Sequence, residues 1–71
     1  MLQRTTVWQL HHREQAVTDC EAWKENDIVH VVVTRSGGAD VANSFPDTAD
    51  AVRWALVVQR TLLADGWMKV I

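Results

Sequence analysis

Three side chains that could bind a metal or act as nucleophiles, His11, Cys20 and His30, lie in three different strand-like segments. Imidazole and thiolate groups are common Zn²⁺ ligands, and three neighbouring strands could bring them together on one sheet face. Their spacing matches no structural or catalytic zinc pattern. We therefore favour a buried thiol and two partly buried imidazoles hydrogen-bonded to neighbours. A small metal-binding protein or enzyme stays an alternative.

Two other features could suggest catalysis. A reactive cysteine needs an accessible, electropositive setting, whereas Cys20 lies between Asp19 and Glu21 in the middle of a strand-like segment. The run Ser36-Gly37-Gly38 lacks the lysine and the helix N-terminus of a phosphate-binding loop, so it is predicted to be a hairpin turn. We therefore predict no catalytic residue, no cofactor and no bound metal, and the protein is not expected to be an enzyme.

Size and composition limit the remaining possibilities. A chain of 71 residues forms one domain, residues 1–71, and its single cysteine excludes an internal disulfide. A core this small rarely contributes more than about 3–5 kcal/mol of folding stability, and small domains commonly gain further stability by oligomerisation. Four tryptophans support self-association, since few monomers of this length could bury them all.

The net charge of −2, with scattered basic residues, disfavours nucleic-acid binding. The absence of a membrane-length apolar stretch makes a cytoplasmic location the default expectation.

The periodicity predicts an α+β domain: a four-stranded antiparallel β-meander followed by one C-terminal α-helix packed on one face of the sheet. The predicted elements are strands near Thr5–His12, Ala16–Lys24, Ile28–Arg35 and Asp40–Phe45, and a helix over about Thr48–Ala64. The three connections between strands are short, as in antiparallel hairpins: Arg13–Gln15, Glu25–Asp27 and Ser36–Ala39.

Local signals define the two ends of the predicted helix. Pro46 ends the strand pairing, and Asp47 or Thr48 can cap the helix N-terminus. Gly66 is predicted to adopt the left-handed conformation after the last turn, which would fold Trp67 back onto the helix. The last residues, Met68–Ile71, form either a short extra strand or a tail.

The third strand is β-branched on both faces, and one helix can cover only one of them. Small residues at Cys20 and Ala22 leave room for a helix, so we expect it on their face, which also holds Val7, His11, Ile28, His30, Val32, Val41 and Phe45. The other face would hold the predicted interface residues Trp8, Leu10, Trp23, Val29, Val31 and Val33, together with Val17. A large uncovered apolar patch marks a binding surface. The function predicted from this pattern is a small non-enzymatic interaction module that forms a homodimer.

The alternative is a single-stranded nucleic-acid-binding protein. Exposed indoles stack on bases, and each stacked base contributes roughly 1–3 kcal/mol of binding free energy. Trp8 and Trp23 would supply the stacking, and the nearby basic side chains would be Arg4, Arg13, Lys24 and Arg35. Nucleic acid is therefore conceivable as a partner but is not favoured, and no membrane partner is expected.

A sequence pattern runs through most of the chain: Trp8-x-Leu10, Cys20, Phe45, Ala51-x-x-Trp54-Ala55, Arg60, Leu63 and Gly66-Trp67. It resembles that of small uncharacterised bacterial proteins of about this length, a resemblance that implies no activity. The order of four strands and a helix is also similar, in architecture only, to Whirly-type and PUR-type single-strand nucleic-acid binders. Those proteins dimerise and bind through basic, aromatic sheet surfaces.

Overall fold

A computed structural model describes residues 4–12, 16–35 and 40–70, and it confirms the α+β class. Its elements are β1 (Thr5–His12), β2 (Ala16–Glu25), β3 (Ile28–Arg35), β4 (Val41–Phe45), α1 (Thr48–Ala64) and β5 (Met68–Lys69). The predicted boundaries agree with these to within one residue. The connections at residues 13–15 and 36–39, with the turns predicted there, lie outside the described residues. Among the described residues, no helix is both long and apolar enough to span a bilayer.

The sheet has five strands in the order β4-β3-β2-β1-β5, and every pairing is antiparallel. The chain end therefore adopts the first of the two predicted alternatives, a short extra strand. Met68 pairs with His11, and Lys69 pairs with Leu10. The Val70 amide then donates a hydrogen bond of 3.0 Å to the Gln9 carbonyl oxygen. This strand turns β1 from an edge strand into an internal one.

The β2–β3 turn determines which residues of β3 face the helix. Asn26 and Asp27 both have positive φ, at 51° and 64°, as a two-residue hairpin turn requires. Glu25 therefore pairs with Ile28 instead of lying in the connection, and Trp23 pairs with His30. The expected connection had three residues. Because strand side chains alternate, this difference of one residue moves every side chain of β3 to the opposite face.

A bulge at Val7 changes the register of β1 near its N-terminal end. Thr6 pairs with Glu21 but Trp8 pairs with Cys20, so Val7 is an extra residue in the ladder. The bulge therefore places Thr6 on the face of Glu21. Trp8 and Leu10 share the face of Cys20 because the register is unbroken from the Trp8–Cys20 pair to the His12–Ala16 pair. Val7 also packs against the core.

Helix α1 packs on the face of Cys20 and Ala22, as expected, but the predicted assignment of β1 and β3 side chains to the two faces is wrong. Five of the six predicted interface residues are core residues at most 6% exposed: Trp8, Leu10, Val29, Val31 and Val33. They cannot form an interface, because α1 already packs on them through Ala51 and Ala55. The sixth, Trp23, lies on the other face. The expectation that Cys20 and Ala22 lie under the helix, with Phe45 at its end, is confirmed.

Both ends of α1 follow the sequence signals. The Asp47 carboxylate accepts a hydrogen bond of 2.8 Å from the Asp50 amide, which caps the N-terminus. At the other end, the Trp67 amide donates to the Leu62 carbonyl oxygen and the Gly66 amide donates to that of Leu63. This pair of bonds is the Schellman arrangement, with Gly66 at a φ of 100°. The fold-back places Trp67 against the core.

Candidate interaction surface

The side of the sheet opposite α1 is not covered by any element among the described residues. We define this open face by the side chains that alternate with the core residues along the strands. Its members are Thr6, Gln9, His11, Val17, Asp19, Glu21, Trp23, Glu25, Ile28, His30, Val32, Thr34, Ala42, Ser44 and Met68. The list mixes apolar, polar and charged groups, unlike the apolar face expected from the sequence.

Three residues of this face, Trp23, His30 and Ser44, form a continuous row with Arg4, and we term these four residues the aromatic row. The guanidinium carbon of Arg4, the residue before β1, lies 4.3 Å from the centroid of the Trp23 ring. The Trp23 and His30 rings stack with centroids 5.4 Å apart and planes inclined by 27°. His30 Nδ1 lies 2.9 Å from the Ser44 hydroxyl oxygen. Strand pairing fixes this row, because Trp23 is opposite His30 and His30 is opposite Ser44.

The contact between His30 and Ser44 joins a base to a hydroxyl, which is the first requirement of a serine nucleophile. Such a nucleophile also needs a group that orients the imidazole and donors that stabilise an oxyanion. The described hydrogen bonds of His30 include no carboxylate partner. Trp23 covers one side of the imidazole ring. We therefore interpret this contact as a cross-strand pair that holds β4 to β3.

Negative charge is concentrated on the central strand of the open face. Asp19, Glu21 and Glu25 all project there from β2. Arg4 makes an ion pair with Glu21, with 3.8 Å between Nη1 and Oε1. Gln9 donates a hydrogen bond of 2.7 Å to the Asp19 carboxylate. One arginine therefore faces three carboxylates, and the face attracts cations.

The apolar part of the open face is small and divided. Val32 and Trp23 are half-buried, opposite Glu21 and His30 respectively. Ile28 lies near one end of the sheet, 38% exposed, and Val17 and Met68 lie toward the other, 43% and 52% exposed. Polar side chains separate these groups. A contiguous apolar patch, which would be expected for a tight hydrophobic interface, is therefore not present among the described residues of this face.

The exposed edge of β4 is partly blocked. The Ser44 amide donates a hydrogen bond of 2.9 Å to the side-chain oxygen of Asn43, its own neighbour. An edge amide that is satisfied within its own strand cannot template an added strand. Pro46 follows directly, and it lacks an amide hydrogen. The broad face of the sheet is therefore a better candidate for binding than this edge.

The structure separates the three residues that were considered as zinc ligands. His11 and His30 lie on the open face, whereas Cys20 is completely buried on the helix side. Burial, with a smaller contribution from the Glu21 charge, raises the pKa of the Cys20 thiol from 9.0 to about 11. The thiol is therefore protonated and unreactive at neutral pH. Among the described residues, no three histidine, cysteine or acidic side chains are arranged to hold a metal ion.

Sequence reasoning missed the aromatic row because it placed Trp23 among the β3 valines. The available signal was the dipeptide Asn26-Asp27: read as a complete two-residue turn, it pairs Trp23 with His30. Comparison of the chain with protein-family models, curated proteins and solved structures found no match.

Proposed function

We propose that this protein is a non-enzymatic interaction module and that it binds its partner through the open face of the sheet. The observation that carries the proposal is the half-buried indole of Trp23, placed near carboxylates on a face that α1 does not cover. Tryptophan is among the residues most enriched at binding hot spots, because one side chain offers a large rigid contact area. Trp23 lies on β2, the central strand of the sheet, near the β2–β3 turn.

The charge of the surface favours a positively charged polypeptide as the partner. Asp19, Glu21 and Glu25 attract lysine and arginine side chains and repel phosphate groups. Only one of the two indoles considered for base stacking, Trp23, lies on this face. Trp8, the other indole considered for base stacking, is 5% exposed. The single-strand nucleic-acid alternative therefore has less support than it had from the sequence.

A second copy of the chain is the alternative partner, because Val32, Ile28 and Trp23 could bury apolar area against their symmetry mates. A face-to-face pair would bring the acidic side chains of two β2 strands together. Salt screens that repulsion, so self-association would strengthen as ionic strength rises. Binding of a basic partner would weaken instead. A cytoplasmic location stays a prediction, and the single buried thiol of Cys20 is compatible with a reducing compartment.

The test is an NMR titration of the ¹⁵N-labelled protein with a hexa-lysine peptide, with hexa-glutamate as the control peptide. We expect hexa-lysine alone to shift the amide resonances of Glu21, Trp23 and His30, with smaller shifts as salt is added. Glu21→Gln should weaken this binding. Asp65→Asn, the same loss of charge at the far end of α1, should not weaken it to the same extent. Shifts confined to α1 would contradict the proposal.

Sedimentation velocity on the same protein at low and high salt tests the alternative. A dimer that forms at micromolar concentration and strengthens with salt would identify a second copy as the partner. A monomer at both salt concentrations, combined with open-face shifts from hexa-lysine, would support the basic partner.

A further inference from the structure

We infer that Trp23 and Glu21 form a guanidinium-binding subsite, that Arg4 occupies it in the free protein, and that an arginine of the partner takes the place of Arg4. The inference rests on the proposed function, because it concerns the same open face. It adds two things to that proposal: the side chain that the surface recognises and a contact within the chain that competes with it.

The contacts of Arg4 are those that recognise a guanidinium group. Its guanidinium carbon lies 4.3 Å from the centroid of the Trp23 ring, and its Nη1 lies 3.8 Å from Oε1 of Glu21. An aromatic face gives a planar cation a surface to stack on, and a carboxylate at its edge forms an ion pair with it. Trp23 and Glu21 are two residues apart on one strand, so both side chains project from the same face.

The two halves of this arrangement are not held equally firmly. Trp23 and Glu21 belong to β2, which is paired with β1 on one side and β3 on the other. His30 supports the indole from its other side, with ring centroids 5.4 Å apart. Arg4 precedes β1, and its side chain is 55% exposed. The binding groups are therefore preformed, whereas the occupant can leave without breaking the sheet.

This difference makes Arg4 a built-in competitor. A partner arginine gains the Trp23 and Glu21 contacts only after Arg4 has given them up, so the tethered side chain lowers the apparent affinity of the partner. Removal of Arg4 should then strengthen the binding of arginine specifically. A lysine ammonium is a compact, strongly hydrated charge that does not stack as a plane, so it should gain less from the vacated subsite.

The experiment compares Arg4→Ala with the wild-type protein and with Arg53→Ala, a matched control. Arg53 is also an exposed arginine with an ion pair, to Asp50 at 3.3 Å, but it lies on α1. Both variants lose one positive charge and so attract cationic peptides equally at long range. Each protein is titrated with hexa-arginine and, separately, with hexa-lysine, and the indole N–H resonance of Trp23 is followed by NMR. The dispersion of the amide spectrum verifies that each variant is folded.

We expect Arg4→Ala to bind hexa-arginine about threefold or more tightly than Arg53→Ala does, a size consistent with one exposed cation–π contact. Hexa-lysine should bind the two variants with similar affinity. Adding Glu21→Gln to Arg4→Ala should remove the gain for hexa-arginine.

Equal binding of hexa-arginine to Arg4→Ala and Arg53→Ala would overturn the inference, as would an equal gain for hexa-lysine in Arg4→Ala. If the peptides still shift open-face resonances in such a case, the proposed function stands and only the subsite fails. If neither peptide shifts any open-face resonance in any of the proteins, the proposed function fails as well.

Discussion

The indole nitrogen of Trp8 donates a hydrogen bond of 2.9 Å to the main-chain carbonyl oxygen of Ala55, in the middle of α1. Trp8 lies on β1, so this buried bond joins elements that are 47 residues apart in the chain. The small side chain of Ala55, itself 1% exposed, allows the indole to reach the helix backbone. The contact therefore joins α1 to the face of the sheet that forms the core.

Replacement of Trp8 by phenylalanine should lower the free energy of unfolding by about 2 kcal/mol, because it removes a buried hydrogen bond and leaves unfilled volume. Trp23→Phe on the open face should cost less than about 1 kcal/mol, since surface substitutions seldom exceed this. Urea denaturation followed by circular dichroism measures both values. Similar costs for the two variants would contradict the assignment of Trp8 to the core and Trp23 to the surface.

An apolar recess of about 40 Å³ lies between the N-terminal half of α1 and the sheet. Ala22 contributes to its wall, with Val31 and Ala51 among its neighbours. Ala22→Val should fill part of this space and should raise the free energy of unfolding by about 0.5–1 kcal/mol. Ala42→Val is the control: Ala42 is an exposed strand residue on the open face, so it gains strand propensity without filling the recess. A loss of stability in Ala22→Val would mean that the recess cannot accept a branched side chain.

The sequence predicted where the elements begin and end, but not which faces meet. Pro46, Asp47 and Gly66 are local signals, and local geometry alone decides a cap or a chain reversal. The face to which each side chain of β1 and β3 points depends instead on strand register. A shift of one residue in register moves every side chain of the strand to the opposite face. The length of the turn at Asn26-Asp27 introduced such a shift in β3, and the pairing of Trp8 with Cys20 placed Trp8 and Leu10 on the helix side.

The candidate site depends on those same registers, so the sequence could not place it either. Trp23 was predicted as an interface residue of the uncovered face, and its neighbours were expected to be valines and not His30. Arg4 was considered only as a basic residue that could help bind nucleic acid. Its contact with Trp23 arises from the pairing of β1 with β2 beyond the bulge, which periodicity does not reveal.

Gly66 should tolerate no other ordinary residue without loss of stability. Its φ of 100° is strained for a side chain, and a Cβ atom there would lie 3.3 Å from Nε2 of His12. His12 in turn packs on Trp67, with ring centroids 5.3 Å apart. Gly66→Ala should therefore lower the free energy of unfolding by about 1 kcal/mol or more, measured by urea denaturation.

Combining Gly66→Ala with His12→Ala separates the two causes of this loss. Backbone strain persists when the imidazole is removed, so we expect most of the cost of Gly66→Ala to remain in the His12→Ala background. Complete recovery would assign the cost to the contact with His12 alone.

Burial of the Cys20 thiol should make the stability of the fold fall at alkaline pH. Folding raises the pKa of this thiol from 9.0 to about 11, mainly through burial and secondarily through the Glu21 charge. The unfolded chain therefore releases the proton first, so the stabilising contribution is complete below pH 9 and is lost as the pH rises toward 11. Cys20→Ala lacks this titration, so its free energy of unfolding should fall less steeply over that interval, although it should be lower at neutral pH because of the lost volume. Urea denaturation of both proteins at several alkaline pH values provides the comparison. Parallel curves for the two proteins would show that the thiol titrates alike in the folded and unfolded chains, which is incompatible with its position beneath α1.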